Sequence, residues 1–187
     1  MFQPFPLTTE LPDALVDPVQ ATPLPPADAL AIREAVTRIY LAEDSRNAAA
    51  LRHLVTTDFV QEHSLYGHIE GGRAFADWVL EHPTAFDRYR HVALNTVTRS
   101  TGTDSGEALS YVLVIEAHPD EEPTAAVLPR ILATGVVRDR FVREEGRWRI
   151  AHRIYDQFAV TAAVLADRRT RLDASAPLHS SSTTADA

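Results

Sequence analysis

His91 is the first side chain in this sequence with the chemistry of an acid–base catalyst. It lies near the start of a strand-like run in which His91, Ala93, Asn95 and Val97 alternate and so share one face. A neutral imidazole, with an ordinary pKa of about 6.5, can take a proton from a carbon beside a carbonyl and return one to a departing hydroxyl. Such a base needs an orienting partner. If the following turn is centred between Thr103 and Asp104, Glu116 falls opposite His91, and Asn95, Val112, Val114 and Glu116 line the same wall. A slip of two residues puts Val114 or His118 there instead. Tyr40 and Asp44 stand one helical turn apart with Glu43 beside them, pairing a phenol that can polarise a carbonyl with a carboxylate that can orient His91. His63 alternates with Gln61 and Leu65 on an earlier run. Each has a plainer reading: a strand-edge histidine, a solvated glutamate near a strand end, a core tyrosine on an apolar stripe.

Composition narrows the chemistry further. All 18 basic residues are Arg, so Schiff-base chemistry and a phosphate-loop lysine are excluded. There is no Cys, which removes thiolate nucleophiles, disulfides and sulfur-ligated metals. The eight His residues form no close-spaced ligand motif, and His63 and His68 do not share a strand face, so neither a metal nor another cofactor is expected. A net charge of −8 with scattered Arg residues argues against nucleic acid. The first 20 residues have neither a basic start nor a long apolar run, so no signal peptide or membrane span is expected, and a cytoplasmic location is the default.

The elements that must carry these groups follow from periodicity. Residues 1–26 hold seven prolines and are expected to form an extended arm. Asp28 is placed to cap a helix from Ala29 to Asp44, with Ile32, Ala35, Val36, Ile39 and Tyr40 at helical spacing. A second helix fits Asn47 to Val55, a strand Phe59 to Tyr66, and a third helix Arg73 to Glu81 after Gly71-Gly72. Four strands are expected next: Tyr89 to Arg99, Glu107 to His118, Ile131 to Val142 and Arg147 to Val160. Trp148, Ile150 and Ile154 are expected to pack together under the helices. Residues 161–173 suit one more amphipathic helix, a candidate lid, and the Ser/Thr/Ala-rich tail 174–187 reads as disordered.

This order, with Glu43-Asp44-Ser45-Arg46-Asn47 at a helix end, Asp58-Phe59 at the first strand, the Gly71 turn, His91 and Asn95 four apart, Arg138-Asp139, and Gly146-Arg147-Trp148-Arg149-Ile150 with Arg153, resembles the SnoaL-like group of the nuclear transport factor 2-like superfamily over roughly residues 27–160. The resemblance implies an α+β fold: a cone in which a curved, mixed, largely antiparallel sheet wraps on three N-terminal helices. It also implies cofactor-independent dehydratases, isomerases or cyclases acting on apolar carbonyl compounds of polyketide or steroid type. The matching His points into the pocket, which makes His91, Glu116, Asp44 and Tyr40 the candidate catalytic set. Asn95, His63, Val112, Val114, Phe59 and Trp78 are the candidate substrate contacts. The family's Tyr commonly stands five residues before the Asp, where this chain has Ile39, so Tyr40 departs from the pattern. Asp139 and Arg153 match family positions and read as a structural ion pair. The same scaffold also serves non-catalytic binding or scaffold subunits, and less closely epoxide hydrolysis, which Arg138 and Asp139, pointing oppositely, do not favour. A homo-oligomer, dimer or trimer, joined through the sheet is expected.

Overall fold

The apolar stripe of the first long segment builds a helix that starts earlier than expected. Helix α2 (Pro26–Asp44) has Pro25 at its N-cap and a proline in its first turn, where a missing N–H leaves no bond unmade. Asp28 does not cap it. Its Oδ1 accepts the Trp148 Nε1–H at 3.0 Å and lies 2.6 Å from Arg143. Along α2 the residues Ile32, Ala35, Val36, Ile39 and Tyr40 are buried, each large one contributing about 1.5–3 kcal/mol. Glu43 continues the same stripe and is buried with them. Asn47 caps α3 (Ala48–Leu54) by accepting the Ala50 N–H at 3.0 Å.

The computed structural model describes residues 13–82, 89–116, 129–162 and 164. The arm before Asp13, the turn around His118, nearly all of segment 161–173 and the tail from Ala174 lie outside them. Within the proline-rich arm, α1 (Asp13–Val16) is a single turn whose Leu15 packs on Leu109 and Val136, and Thr22 O accepts the Ser100 N–H at 2.8 Å. This stretch of the arm is therefore docked on the sheet rather than merely extended.

Among the described residues six strands form one sheet: β1 (Val55–His63), β2 (Gly67–Glu70), β3 (Tyr89–Gly102), β4 (Ser105–Glu116), β5 (Arg130–Glu144) and β6 (Arg147–Val160), in the spatial order β2-β1-β6-β5-β4-β3. β1 runs parallel to β6, and every other neighbouring pair is antiparallel. Strand β2 was not among the expected strands. Helix α4 (Gly72–Glu81) follows it, entered through Gly71 at φ +96°, and buries Phe75, Ala76 and Val79. A Cβ on Gly72 would fall 2.5 Å from Thr56 O, so the helix start rests directly on the β1 backbone. The architecture is the expected α+β one, three helices on a curved mixed sheet.

Irregularities in the strands decide which side chains meet. At the tip of the β3–β4 hairpin Gly102 pairs with Ser105, as the centred turn requires, but the register shifts between Ser100 and Gly102 and again between Leu94 and Val97. Two one-residue slips place Val114, not Glu116, opposite His91. Asn95 sits at the second slip with φ +53° and is exposed. Strand β6 slips twice as well, near Ala151 and at Gln157, where φ is +47°. Each slip restores an inward face, so Trp148 and Ile150, then Arg153 and Tyr155, then Phe158 all turn toward the helices. Ile154 is thereby displaced from the face of Trp148 and Ile150 and lies on the other side of the sheet, in a cleft with Leu15 and Arg138.

Candidate active site

The last turn of α2 meets the first residues of β3. His91 Nδ1 lies 2.7 Å from Asp44 Oδ1, and the His91 backbone N–H donates to Asp44 Oδ2 at 3.0 Å, so one carboxylate grips both the ring and the main chain across 47 residues. Both side chains are about nine-tenths buried. An ionised carboxylate only accepts, so Nδ1 carries the hydrogen and Nε2 is the basic nitrogen. The Tyr40 ring stacks on His91 with centroids 5.4 Å apart and planes 9° from parallel, which fixes the imidazole plane. Burial holds the Tyr40 phenol above its ordinary range.

Beneath this dyad lies Arg153, fully buried. Its guanidinium donates twice to Asp139, at 2.7 and 2.9 Å, reaches Glu43 Oε1 at 3.3 Å, and lies 4.8 Å from the centre of the Tyr40 ring. Burial works most strongly against its charge, but Asp139, Tyr40 and Tyr155 together outweigh it and keep the guanidinium well above its ordinary value. The Glu43 carboxyl is raised instead, first by burial, then by Asp44 and Asp139, with His91 and Arg153 opposing.

Above these polar groups opens a cavity with about 570 Å³ of empty space, its mouth included. Glu43, Gln61, His63 and His91 reach it among largely aromatic and aliphatic walls. His63 is packed between rings: Tyr155 at 4.5 Å, Tyr66 at 4.7 Å and Phe158 at 4.7 Å. Its Nδ1 accepts the backbone N–H groups of Leu65 and Tyr66, at 3.0 and 3.4 Å, which leaves the hydrogen of the neutral ring on Nε2. The two histidines are therefore set in opposite tautomers. Gly135 makes this wall possible, since a Cβ there would fall 2.5 Å from Phe158 Cδ2.

Of the candidate residues, His91, His63, Val114 and Trp78 line the cavity. Asp44 and Tyr40 stand behind His91 and hold it. Glu116 does not join them: it opposes Tyr89 and accepts from Arg130 Nε at 2.7 Å, a consequence of the shifted register. Val112 and Phe59 are fully buried in the core below the cavity, and Asn95 faces away. Glu43, Gln61, Tyr155 and Phe158 also line the cavity, beyond the candidates that spacing singles out. Glu43 had a signal, a carboxylate on the apolar stripe of α2, whereas Phe158 reaches its face only through the Gln157 slip. Among the described residues no three His, Asp or Glu side chains converge as a metal ion would require, and no helix is long and apolar enough to cross a membrane.

Residues 27–154 match the SnoaL-like domain. The chain belongs to the SnoaL-like family. No curated protein sequence matches this SnoaL-like chain. Its fold is shared with solved structures at low identity. A protein of unknown function with a cystatin-like fold from Nostoc punctiforme aligns at 17% identity and TM-score 0.62, over 76% of this chain and 97% of that one. LinA aligns at 18% identity and TM-score 0.59, over 73% and 90%. A candidate scytalone dehydratase from Novosphingobium aromaticivorans aligns at 18% identity and TM-score 0.56, over 71% and 86%.

Proposed function

We propose that this SnoaL-like protein is a cofactor-independent lyase or isomerase, of dehydratase, isomerase or cyclase type, acting on an apolar, carbonyl-bearing small molecule. The observation that carries the reading is the Asp44–His91 pair at the wall of an aromatic cavity. A buried carboxylate on Nδ1 keeps the lone pair on Nε2 and stabilises the imidazolium that proton abstraction creates. His63, with its hydrogen on Nε2, supplies a donor for the carbonyl oxygen, where negative charge grows as the adjacent C–H bond breaks. The rings of Tyr66, Trp78, Tyr155 and Phe158 suit a flat, unsaturated skeleton and exclude water, which strengthens each of these interactions. The likeness in fold to a candidate scytalone dehydratase fits a lyase of this kind.

Proton abstraction is testable before the natural substrate is known. In deuterated buffer the full-length protein is expected to exchange the hydrogens beside the carbonyl of α-tetralone, followed by proton NMR. His91→Gln should slow that exchange about 10²–10⁴-fold while leaving the thermal unfolding midpoint nearly unchanged. Exchange that is equally fast in the variant, or absent from wild type with α-tetralone and with larger aryl ketones, would overturn the reading in favour of a binding protein without turnover.

A further inference from the structure

We propose that Glu43 and Gln61 form a second subsite in the cavity, one that receives a substrate hydroxyl and releases it as water, with Glu43 as the proton donor. The proposal rests on the reading of Asp44–His91 as the base and names its acidic counterpart.

Charge balance is the first support. Among the described residues the groups facing Glu43 are Tyr40 and Asp44 on its own helix, His91 on β3, Asp139 on β5, and Arg153 and Tyr155 on β6. Arg153 is the one permanent cation in this set, and Asp139 already binds it through two hydrogen bonds. Glu43 shares the same guanidinium through a single contact at 3.3 Å, with the Asp44 carboxylate next in sequence. A third negative charge at this depth is costly, and protonation relieves it. Burial is the largest cause holding the Glu43 proton above the ordinary 4.5, and it prevails, with Asp44 and Asp139 acting in the same direction, over the opposing pull of His91 and Arg153. The second support is Gln61. It neighbours Arg153 in the β1–β6 register, is 3% exposed, and among the described residues its Oε1 finds no hydrogen-bond donor although it is buried on the cavity wall. A buried amide oxygen without a donor is matched by a ligand that brings one. A hydroxyl does so, giving its hydrogen to Gln61 and offering a lone pair to the Glu43 proton.

The step balances without a co-reactant. His91 Nε2 takes the proton from the carbon beside the carbonyl, and the electron pair of that C–H bond becomes the new C=C bond. The C–O bond to the β-hydroxyl breaks, and the oxygen leaves as water with the proton from Glu43. Glu43 ends as carboxylate and His91 as imidazolium, and one proton returned through solvent restores both. The substrate class is thus a β-hydroxy aryl ketone or its equivalent.

Two probes separate acid from base. α-Tetralone has no leaving hydroxyl and reports proton abstraction alone, whereas 3-hydroxy-1-tetralone must lose water to give 1-naphthol. Glu43→Gln, which still donates a hydrogen bond but cannot give up a proton, is expected to lower naphthol formation by about 10²-fold and at least about tenfold more than it lowers exchange. Equal losses on both probes, no loss of elimination, or a wild type that exchanges α-tetralone without dehydrating its 3-hydroxy analogue would overturn the subsite. Absence of exchange in wild type overturns the base instead. A substrate-free measurement decides the subsite even then. With side-chain ¹³C-labelled glutamate, the Glu43 resonance, identified by its loss in Glu43→Asp, should titrate at higher pH than any other glutamate, and titration alongside the rest would overturn the proposal.

Discussion

Helix α2 is tied to the β5–β6 hairpin at both ends by the same kit of parts, a carboxylate, an arginine and an aromatic ring. At its start Asp28 accepts from Trp148 and pairs with Arg143, whose guanidinium lies 4.5 Å over the Trp148 ring. At its end Glu43 touches Arg153, which lies over the Tyr40 ring. The consequences are opposite. Hydrogen bonds from Trp148 and Arg143 hold Asp28 below its ordinary value, whereas burial and two further carboxylates hold Glu43 above it. Arg143 is shared as well, its Nε lying 3.3 Å from Asp104, so depth makes the difference: a carboxylate near solvent stays an anchor, whereas one buried beside further carboxylates holds its proton more tightly.

The sharpest way to break this comparison is to remove the shared cation. Arg153→Met leaves Asp139 and Glu43 facing each other in the interior and should cost about 3–5 kcal/mol in urea unfolding, whereas the double variant Arg153→Met with Asp139→Asn should recover part of that loss. A loss as small as that of an exposed pair would mean that the cluster is not buried in solution. Overpacking the cavity wall comes next. Gly135→Ala forces Phe158 away and should cost about 1–3 kcal/mol, with weaker binding of 1-naphthol measured by quenching of Trp78 fluorescence. Unaltered stability and binding would show that Phe158 is free to move.

Trp148→Phe removes the Nε1–H donor at the other end of α2 while keeping the ring under Arg143. The unfolding midpoint should drop by well under half of the Arg153→Met effect, and the Asp28 titration, followed by NMR, should move up toward its ordinary 3.8. A stationary Asp28 would assign its depressed value to Arg143 alone. The smallest effects are slopes of stability against pH. Because the folded Asp28 value is depressed, its stabilisation is present above 3.8 and lost as pH falls through the folded value, so Asp28→Asn should flatten the acid limb. The folded Glu43 value is raised, so stability declines as pH rises from 4.5 through that value, and Glu43→Gln should flatten this decline. Slopes of the same sign for both residues would remove the distinction between the two ends.

Much of the frame is legible in the residues themselves. The helical stripe from Ile32 to Tyr40, the Gly71 turn and the alternation of the late strands each follow from local sterics and burial, and together they order three helices before a meander. Residue type alone already restricted the chemistry to His, Asp, Glu and Tyr. Where those groups meet is another matter. The choice between Glu116 and Asp44 as the partner of His91 turned on two one-residue slips in the β3–β4 hairpin, and the inward turn of Phe158 on another at Gln157. Such slips use positive φ at Asn95 and Gln157, a backbone choice that leaves no mark in the alternation of apolar and polar residues. The proton affinity of Glu43 is set in the same way. Its place on the apolar stripe is written in the sequence, but its partners come from β3, β5 and β6, and only the packed sheet decides that two carboxylates must share one arginine away from water.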